Sequence, residues 1–340
     1  MTPMPKFAPD FPRPFPPEFG AAALPMPSGD TRGLGHAAEG SLLRTASAVA
    51  ADISRLTRPR IAIMVLATVV ASAWLTAGKV IGGPSLFWLL LGTTCVAASS
   101  SIANQILERD ADRLMPRTAR RPIATGRIGI PAAIALTTFL VIAGGLIITL
   151  ASGWEPAAAA VATWILYVVV YTPMKMRSPL NTAVGAVSGA LPVAIGWLAA
   201  DGPQRLAGGD AAGSLAVAAL ATVLYLWQFP HFMAIAWLYR EQYAAAGMRM
   251  LTVDDPSGLR AAGQALAASL AMVPVSLVLA VPSGSIRLFV AAAIASLVYA
   301  IATFGFAIRR DDASARTLLL TSLGSLLALL TASVVFGLPA

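Results

Sequence analysis

Asn104, Glu108 and Asp112 follow one another at four-residue intervals in NQILERDADRLMPRTARRPI, residues 104–123. On a helix each interval turns the side chain by about 40° and advances it by about 6 Å, so the three line one face. Two carboxylates four residues apart repel and weaken a helix by about 0.2–0.5 kcal/mol. A divalent cation between them reverses that sign. Hard oxygen donors from an amide and two carboxylates suit Mg²⁺, which takes one or two carboxylates, waters and substrate phosphate oxygens. Asp110 points away from Glu108 on the same turn and stays out of the donor set.

Arg113, Arg117, Arg120 and Arg121 follow within nine residues. Pro116 cannot continue a helix, so this part reads as loop. Guanidinium groups make bidentate contacts to phosphate. The same arginines could instead only enforce topology or bind lipid headgroups, since cytoplasmic loops are basic by default. Two further stretches bear on that choice. YTPMKMRSPLN (171–181) brings Lys175, Arg177 and Asn181, and WQFPHFMAIAWLYREQYAAAGMRML (227–251) brings His231, Arg240, Glu241, Gln242 and Tyr243. If all three end on one side, they face a common mouth suited to a diphosphate held between metal and cations. His231 also fits a helix-end residue bonded to a carbonyl freed near Pro230. Trp227, Trp237, Tyr239 and Tyr243 read as interfacial anchors, Asp254-Asp255 as a turn, and Asp311-Asp312 as a solvated loop.

The elements that must position these groups are apolar. Of 340 residues, 57% are hydrophobic and 12% charged, and mean hydropathy is +0.74; a soluble domain would carry about 25% charge. A bilayer-crossing helix needs about 20 mainly apolar residues. Nine such stretches occur, at 60–78, 85–107, 129–151, 156–173, 180–200, 212–238, 261–281, 287–307 and 316–338. The class is therefore all-α, polytopic and membrane-bound. One domain is expected over 51–340, preceded by a disordered tail at 1–50, since nine of the 24 prolines fall in the first 27 residues and such a segment cannot form a core. The tail lacks the apolar stretch of a signal peptide and the composition of a transit peptide. The one cysteine, Cys95, excludes an intrachain disulfide and a cysteine-based zinc site.

Charge placement orients the chain. The N-terminal segment and the even-to-odd loops hold twenty-one of the 24 Lys and Arg residues, leaving Lys79, Arg205 and Arg287 on the other side. The positive-inside rule makes the N-terminus and those loops cytoplasmic. That asymmetry also accounts for the net charge of +8 without a nucleic-acid partner.

With its motifs in LTRPRIAIMVLAT (56–68), NQILERDADRLMPRTARRPI, YTPMKMRSPLNTAVGAVSGALPVAIGW and WQFPHFMAIAW, the sequence resembles the UbiA superfamily of intramembrane prenyltransferases, in particular its haem-farnesylating branch. The likeness covers most of the chain from about residue 50. It implies nine helices around a central cavity under a cytoplasmic diphosphate cap. It further implies farnesyl diphosphate bound through Mg²⁺, haem b (protohaem IX) as acceptor, and haem O and diphosphate as products, with a haem A synthase as a candidate partner. Asn104, Glu108 and Asp112 match the first metal-binding motif. Arg113, Arg117 and Arg121 match its basic extension, and Lys175 the basic residue after span 4; Arg177, His231 and Glu241 join the diphosphate or haem set. The second motif commonly reads Arg-Glu-Asp-Tyr in this branch, whereas here Gln242 replaces the Asp, so Glu241 or the Gln242 carbonyl must substitute. The alternatives are a superfamily member with a quinone-precursor or chlorin acceptor, and a membrane transporter. The expected location is a bacterial inner membrane.

Overall fold

The structure, a computed structural model, describes residues 47–78 and 82–337. The expected tail thus lies outside the described residues except for 47–50, which begin a helix running to 57. The chain divides after Ala48, and the unit Val49–Ala340 carries the membrane-length helices. Among the described residues nine are long and apolar enough to cross a bilayer: α1 Pro59–Ala77, α2 Gly83–Leu107, α3 Ile130–Ser152, α4 Trp154–Met174, α5 Asn181–Ala199, α6 Ala211–Leu238, α7 Leu259–Val278, α8 Ile286–Arg309 and α9 Asp312–Phe336.

These bounds fall within four residues of the hydropathy expectation at each end. Proline starts α1, α2 and α3 at the first or second position, where its missing N–H is not needed. Gly78 ends α1 in the left-handed conformation at φ 64°, which glycine adopts without strain. The largest difference is at α9. Asp311 is not part of a solvated loop: its carboxylate accepts from Ser314 N at 2.7 Å in a capping box, so the helix starts before Arg316.

Proline interrupts two spans, while a third runs through its proline unbroken. In α4, residues Leu166–Tyr171 form a π-helical turn directly before Pro173, whose ring would clash with the carbonyl four residues back in a regular α-helix. In α5 the helix is broken at Leu191, just ahead of Pro192. Pro230 lies inside α6.

Consecutive helices pack together, and α1 touches α2, α5, α6 and α9. Two apolar cores result, one among α6–α9 with Ala71 and Leu75 of α1, the other among α2–α5 with Val69 of α1. Helix association in lipid depends on close packing more than on hydrophobicity. Gly92 of α2 and Gly144 of α3 show this. A Cβ at Gly92 would sit 2.8 Å from the Gly144 carbonyl, and one at Gly144 2.7 Å from the Gly92 carbonyl. α2, which carries the acidic motif, is therefore fixed against α3 backbone to backbone.

Candidate active site

At the end of α2, Glu108 takes φ −94° and ψ 8° before the short helix Arg109–Leu114. The break is slight, because Asp112 N still donates to the Glu108 carbonyl at 2.7 Å. Asn104, Glu108 and Asp112 consequently stay on one side and are all buried, at 0, 9 and 0% exposure. Asp110 is exposed and pairs with Arg113 at 3.3 Å, outside the set as expected.

Two cations meet the two carboxylates. Lys175 Nζ lies 2.6 Å from Glu108 Oε1. One Arg121 nitrogen lies 2.6 Å from Asp112 Oδ2 and 3.8 Å from Glu108 Oε2, and 2.7 Å from Asp112 Oδ1. The quartet carries no net charge, which makes burial of four ionised groups tolerable. The π turn of α4 builds the Lys175 side of it. Thr172 Oγ1 donates to the Tyr167 carbonyl five residues back at 2.9 Å and accepts from Asn104 Nδ2 at 3.2 Å. The Lys175 ammonium rests 4.5 Å from the centre of the Tyr171 ring, a cation–π contact.

Burial pushes the Glu108 carboxyl up, but Lys175 and Arg121 outweigh it and hold the group below its ordinary value. Burial likewise disfavours the Lys175 ammonium, and Glu108 reverses this and holds it above the usual lysine range. At Asp112 burial wins over Arg121, so this carboxyl titrates higher than an ordinary aspartate.

The three expected loops do converge. Arg117 places its guanidinium 4.7 Å from the Tyr239 ring and 3.5 Å from the Tyr243 hydroxyl. Arg249 N donates to the Lys175 carbonyl at 2.7 Å, and Asn181 Nδ2 to the Arg249 carbonyl at 3.1 Å. Ala111, Met115, Tyr243, Ala246, Met248 and Met250 form a small apolar core beneath. Gln105 was not singled out in the sequence. Its amide donates to the Arg55 and Leu56 carbonyls at 3.1 and 3.0 Å, tying the helix ahead of α1 to α2. Its place inside the 104–112 motif was the available signal.

Several expectations change. The arginines do not act as one cluster: Arg113 Nε donates to the Ala124 carbonyl at 2.8 Å, Arg117 sits on tyrosines, Arg120 is exposed, and Arg121 alone reaches the carboxylates. Arg177 and Glu241 are exposed, so Glu241 is not the buried stand-in for a second acidic motif. Gln242 Oε1 is the buried oxygen there, without a partner among the described residues. Arg240 turns to Asp312 at 3.0 Å. Trp227 and Trp237 are buried in the bundle rather than anchored at an interface. Trp227 Nε1 donates to the Ser322 carbonyl at 2.8 Å. His231 is not at a helix end but inside α6, 2.7 Å from Ser322 Oγ of α9. Asp255 accepts from Ser257 and Arg260 in a turn, as expected.

The donor set fits a hard divalent cation. Asn104 Oδ1 is buried without a hydrogen-bond partner among the described residues, and so is Asn181 Oδ1; unpaired buried oxygens call for a missing ligand or water. Among the described residues no three His, Cys, Asp or Glu side chains converge. A cation would therefore find two carboxylates and an amide, with the rest of its shell left to water and phosphate, which is the Mg²⁺ pattern.

The UbiA prenyltransferase family model matches residues 65–335. The chain is 48% identical to a protoheme IX farnesyltransferase of Rhodopirellula baltica, over 66% of this chain and 76% of the relative. It is 38% identical to one of Solibacter usitatus, over 80% and 93%. Among solved structures it resembles a digeranylgeranylglyceryl phosphate synthase at TM-score 0.69 and 15% identity, covering 84% of this chain and 98% of the other. It also resembles a UbiA homolog of Archaeoglobus fulgidus bound to GPP and Mg²⁺, at TM-score 0.58 and 18% identity, covering 83% and 99%.

Proposed function

The chain belongs to the UbiA prenyltransferase family, and from that premise we propose that it transfers the farnesyl group of farnesyl diphosphate to a vinyl group of haem b, giving haem O and diphosphate. It is an integral, multi-pass membrane protein. The observation that carries the reading is the meeting of Asn104, Glu108, Asp112, Lys175 and Arg121 at one end of an apolar helix bundle. A charged diphosphate belongs at that end, and the farnesyl chain and haem belong with the apolar helices.

Asn104, Glu108 and Asp112 would hold Mg²⁺. Bound there, Mg²⁺ supplies a Lewis acid that takes up charge from the leaving diphosphate. Lys175 and Arg121 adjoin the same carboxylates and donate to phosphate oxygens, aiming positive charge where negative charge develops. Arg117, held by Tyr239 and Tyr243, adds a further donor at the mouth. The allylic C–O bond breaks, and the terminal vinyl carbon of haem captures the farnesyl carbon. The cation left next to the porphyrin takes up water and loses a proton, which gives the hydroxyethylfarnesyl group. The apolar helices limit earlier capture of the farnesyl cation by water.

The positive-inside asymmetry supports a cytoplasmic position for this end; the membrane would be a bacterial inner membrane, with a haem A synthase as the partner to which product would pass. Glu108→Gln and Asp112→Asn test the assignment. In membranes supplied with Mg²⁺, farnesyl diphosphate and haem b, each is expected to lower haem O formation at least about 100-fold, the scale of losing one preorganised electrostatic group. Chelation of Mg²⁺ should stop the wild type as well. Full activity in both variants would remove these residues from the chemistry.

A further inference from the structure

His231 lies inside α6, eight residues before Tyr239 and thus roughly 12 Å deeper along the helix axis. Its Nδ1 is 2.7 Å from Ser322 Oγ, and that same hydroxyl is 2.6 Å from the Leu319 carbonyl. Both contacts need a hydrogen between their heavy atoms, yet a serine hydroxyl has only one. The carbonyl can donate nothing, so the hydroxyl hydrogen goes to Leu319 and the imidazole supplies the other. Nδ1 therefore carries a proton, and in the neutral ring Nε2 keeps its lone pair. Among the described residues Nε2 has no hydrogen-bond partner, and the side chain is only partly buried.

The ring is also held in plane. It stacks on Trp227, with centroids 4.6 Å apart and planes 21° apart. Trp227 is itself fixed through Nε1 to the Ser322 carbonyl at 2.8 Å, and its own carbonyl accepts from the Tyr299 hydroxyl at 2.8 Å. A neutral imidazole with one nitrogen locked by a hydrogen bond and the other free is the arrangement proteins use to prepare a histidine for a metal. A histidine serving packing alone would not need its tautomer fixed from a neighbouring helix.

We propose that His231 Nε2 is the axial ligand to the iron of the haem acceptor, with Ser322 as the positioning residue that sets its tautomer. The proposal rests on the haem reading given above. Iron ligation on α6 would hold the macrocycle below the diphosphate end of the bundle, so that a vinyl edge can turn toward the allylic carbon. The ligand bond forms and breaks without net redox change.

The full chain in detergent, loaded with haem b, reduced and exposed to nitric oxide, gives a direct readout by electron paramagnetic resonance. Wild type is expected to show nitrogen hyperfine structure from an imidazole opposite the nitrosyl. His231→Gly should lose it, and added imidazole should restore it. Imidazole labelled with ¹⁵N should change the three-line pattern to two. Ser322→Ala should weaken haem binding by about 10–100-fold, the scale of losing an outer hydrogen bond. His231→Gln, which can still donate to Ser322 Oγ, should lack the axial nitrogen and guards against misfolding of the glycine variant. An unchanged nitrogen pattern in both histidine variants overturns the ligation while leaving farnesyl transfer standing. Wild type that neither binds haem b nor forms haem O overturns both readings.

Discussion

At the residue scale, Lys175 and Arg121 answer the problem posed by two buried carboxylates. Lys175→Met would leave Glu108 charged with only the longer 3.8 Å Arg121 contact, and breaking a buried pair from one side costs about 3–5 kcal/mol. The Lys175→Met/Glu108→Met double variant should lose clearly less than the sum of the singles, as read from denaturant unfolding in detergent micelles. The pH window follows from both shifts. Glu108 has a lowered value, so its contribution is present above its unfolded value near 4.5 and disappears as pH falls through the lower folded one. Lys175 has a raised value, so its contribution is full below 10.5 and disappears as pH rises through the higher folded one. The Lys175→Met penalty should therefore be largest between about pH 5 and pH 10 and shrink on either side. The Asn104–Glu108–Asp112 face was legible in the sequence because it rests on helical period alone. The partner of Lys175 was not, because it depends on a turn 67 residues away in the chain. Nor could residue type reveal which of the four clustered arginines reaches the carboxylates, since loop path decides that.

At the scale of elements, two features carry the site: the Gly92–Gly144 contact that seats α2, and the π turn that aims Lys175. Gly92→Leu would drive a side chain into the Gly144 carbonyl and Ile148, and overpacking of this kind costs about 1–3 kcal/mol. The variant should unfold at lower temperature and lose activity, because the acidic end of α2 moves with the helix. Gly145→Ala, whose Cβ would meet only Val161 at 3.9 Å, should behave as wild type, and equal damage from both would remove the close contact from the account. Hydropathy fixed the helices to within a turn, but it is blind to hydrogen-bond register. The π turn, the break at Leu191 and the cap at Asp311 all went unseen for that reason, although Pro173, Pro192 and the Asp-x-x-Ser spacing marked the places.

At the scale of the whole molecule, the nine membrane-length helices among the described residues and one charged end were legible, because lipid demands long apolar runs and clusters the remaining charge at the faces. The closing of the bundle was not, since α1 packs against α5, α6 and α9 through small apolar residues that carry no distinctive pattern. Sidedness has its own test. With Cys95→Ser as background, a cysteine at Arg120 should react with an impermeant maleimide only when the cytoplasmic face is opened, and one at Ser283 should react from the other side. The reverse labelling would invert the topology. The central claim is the identity of the transferred group and its acceptor, and mass analysis of product tests it most directly. The purified chain, reconstituted in lipid vesicles with Mg²⁺, farnesyl diphosphate and haem b, should convert haem b to a species heavier by one farnesyl group and one hydroxyl, with one diphosphate released per conversion. Haem b recovered unchanged, while a quinone precursor or chlorin offered instead becomes prenylated, would contradict it.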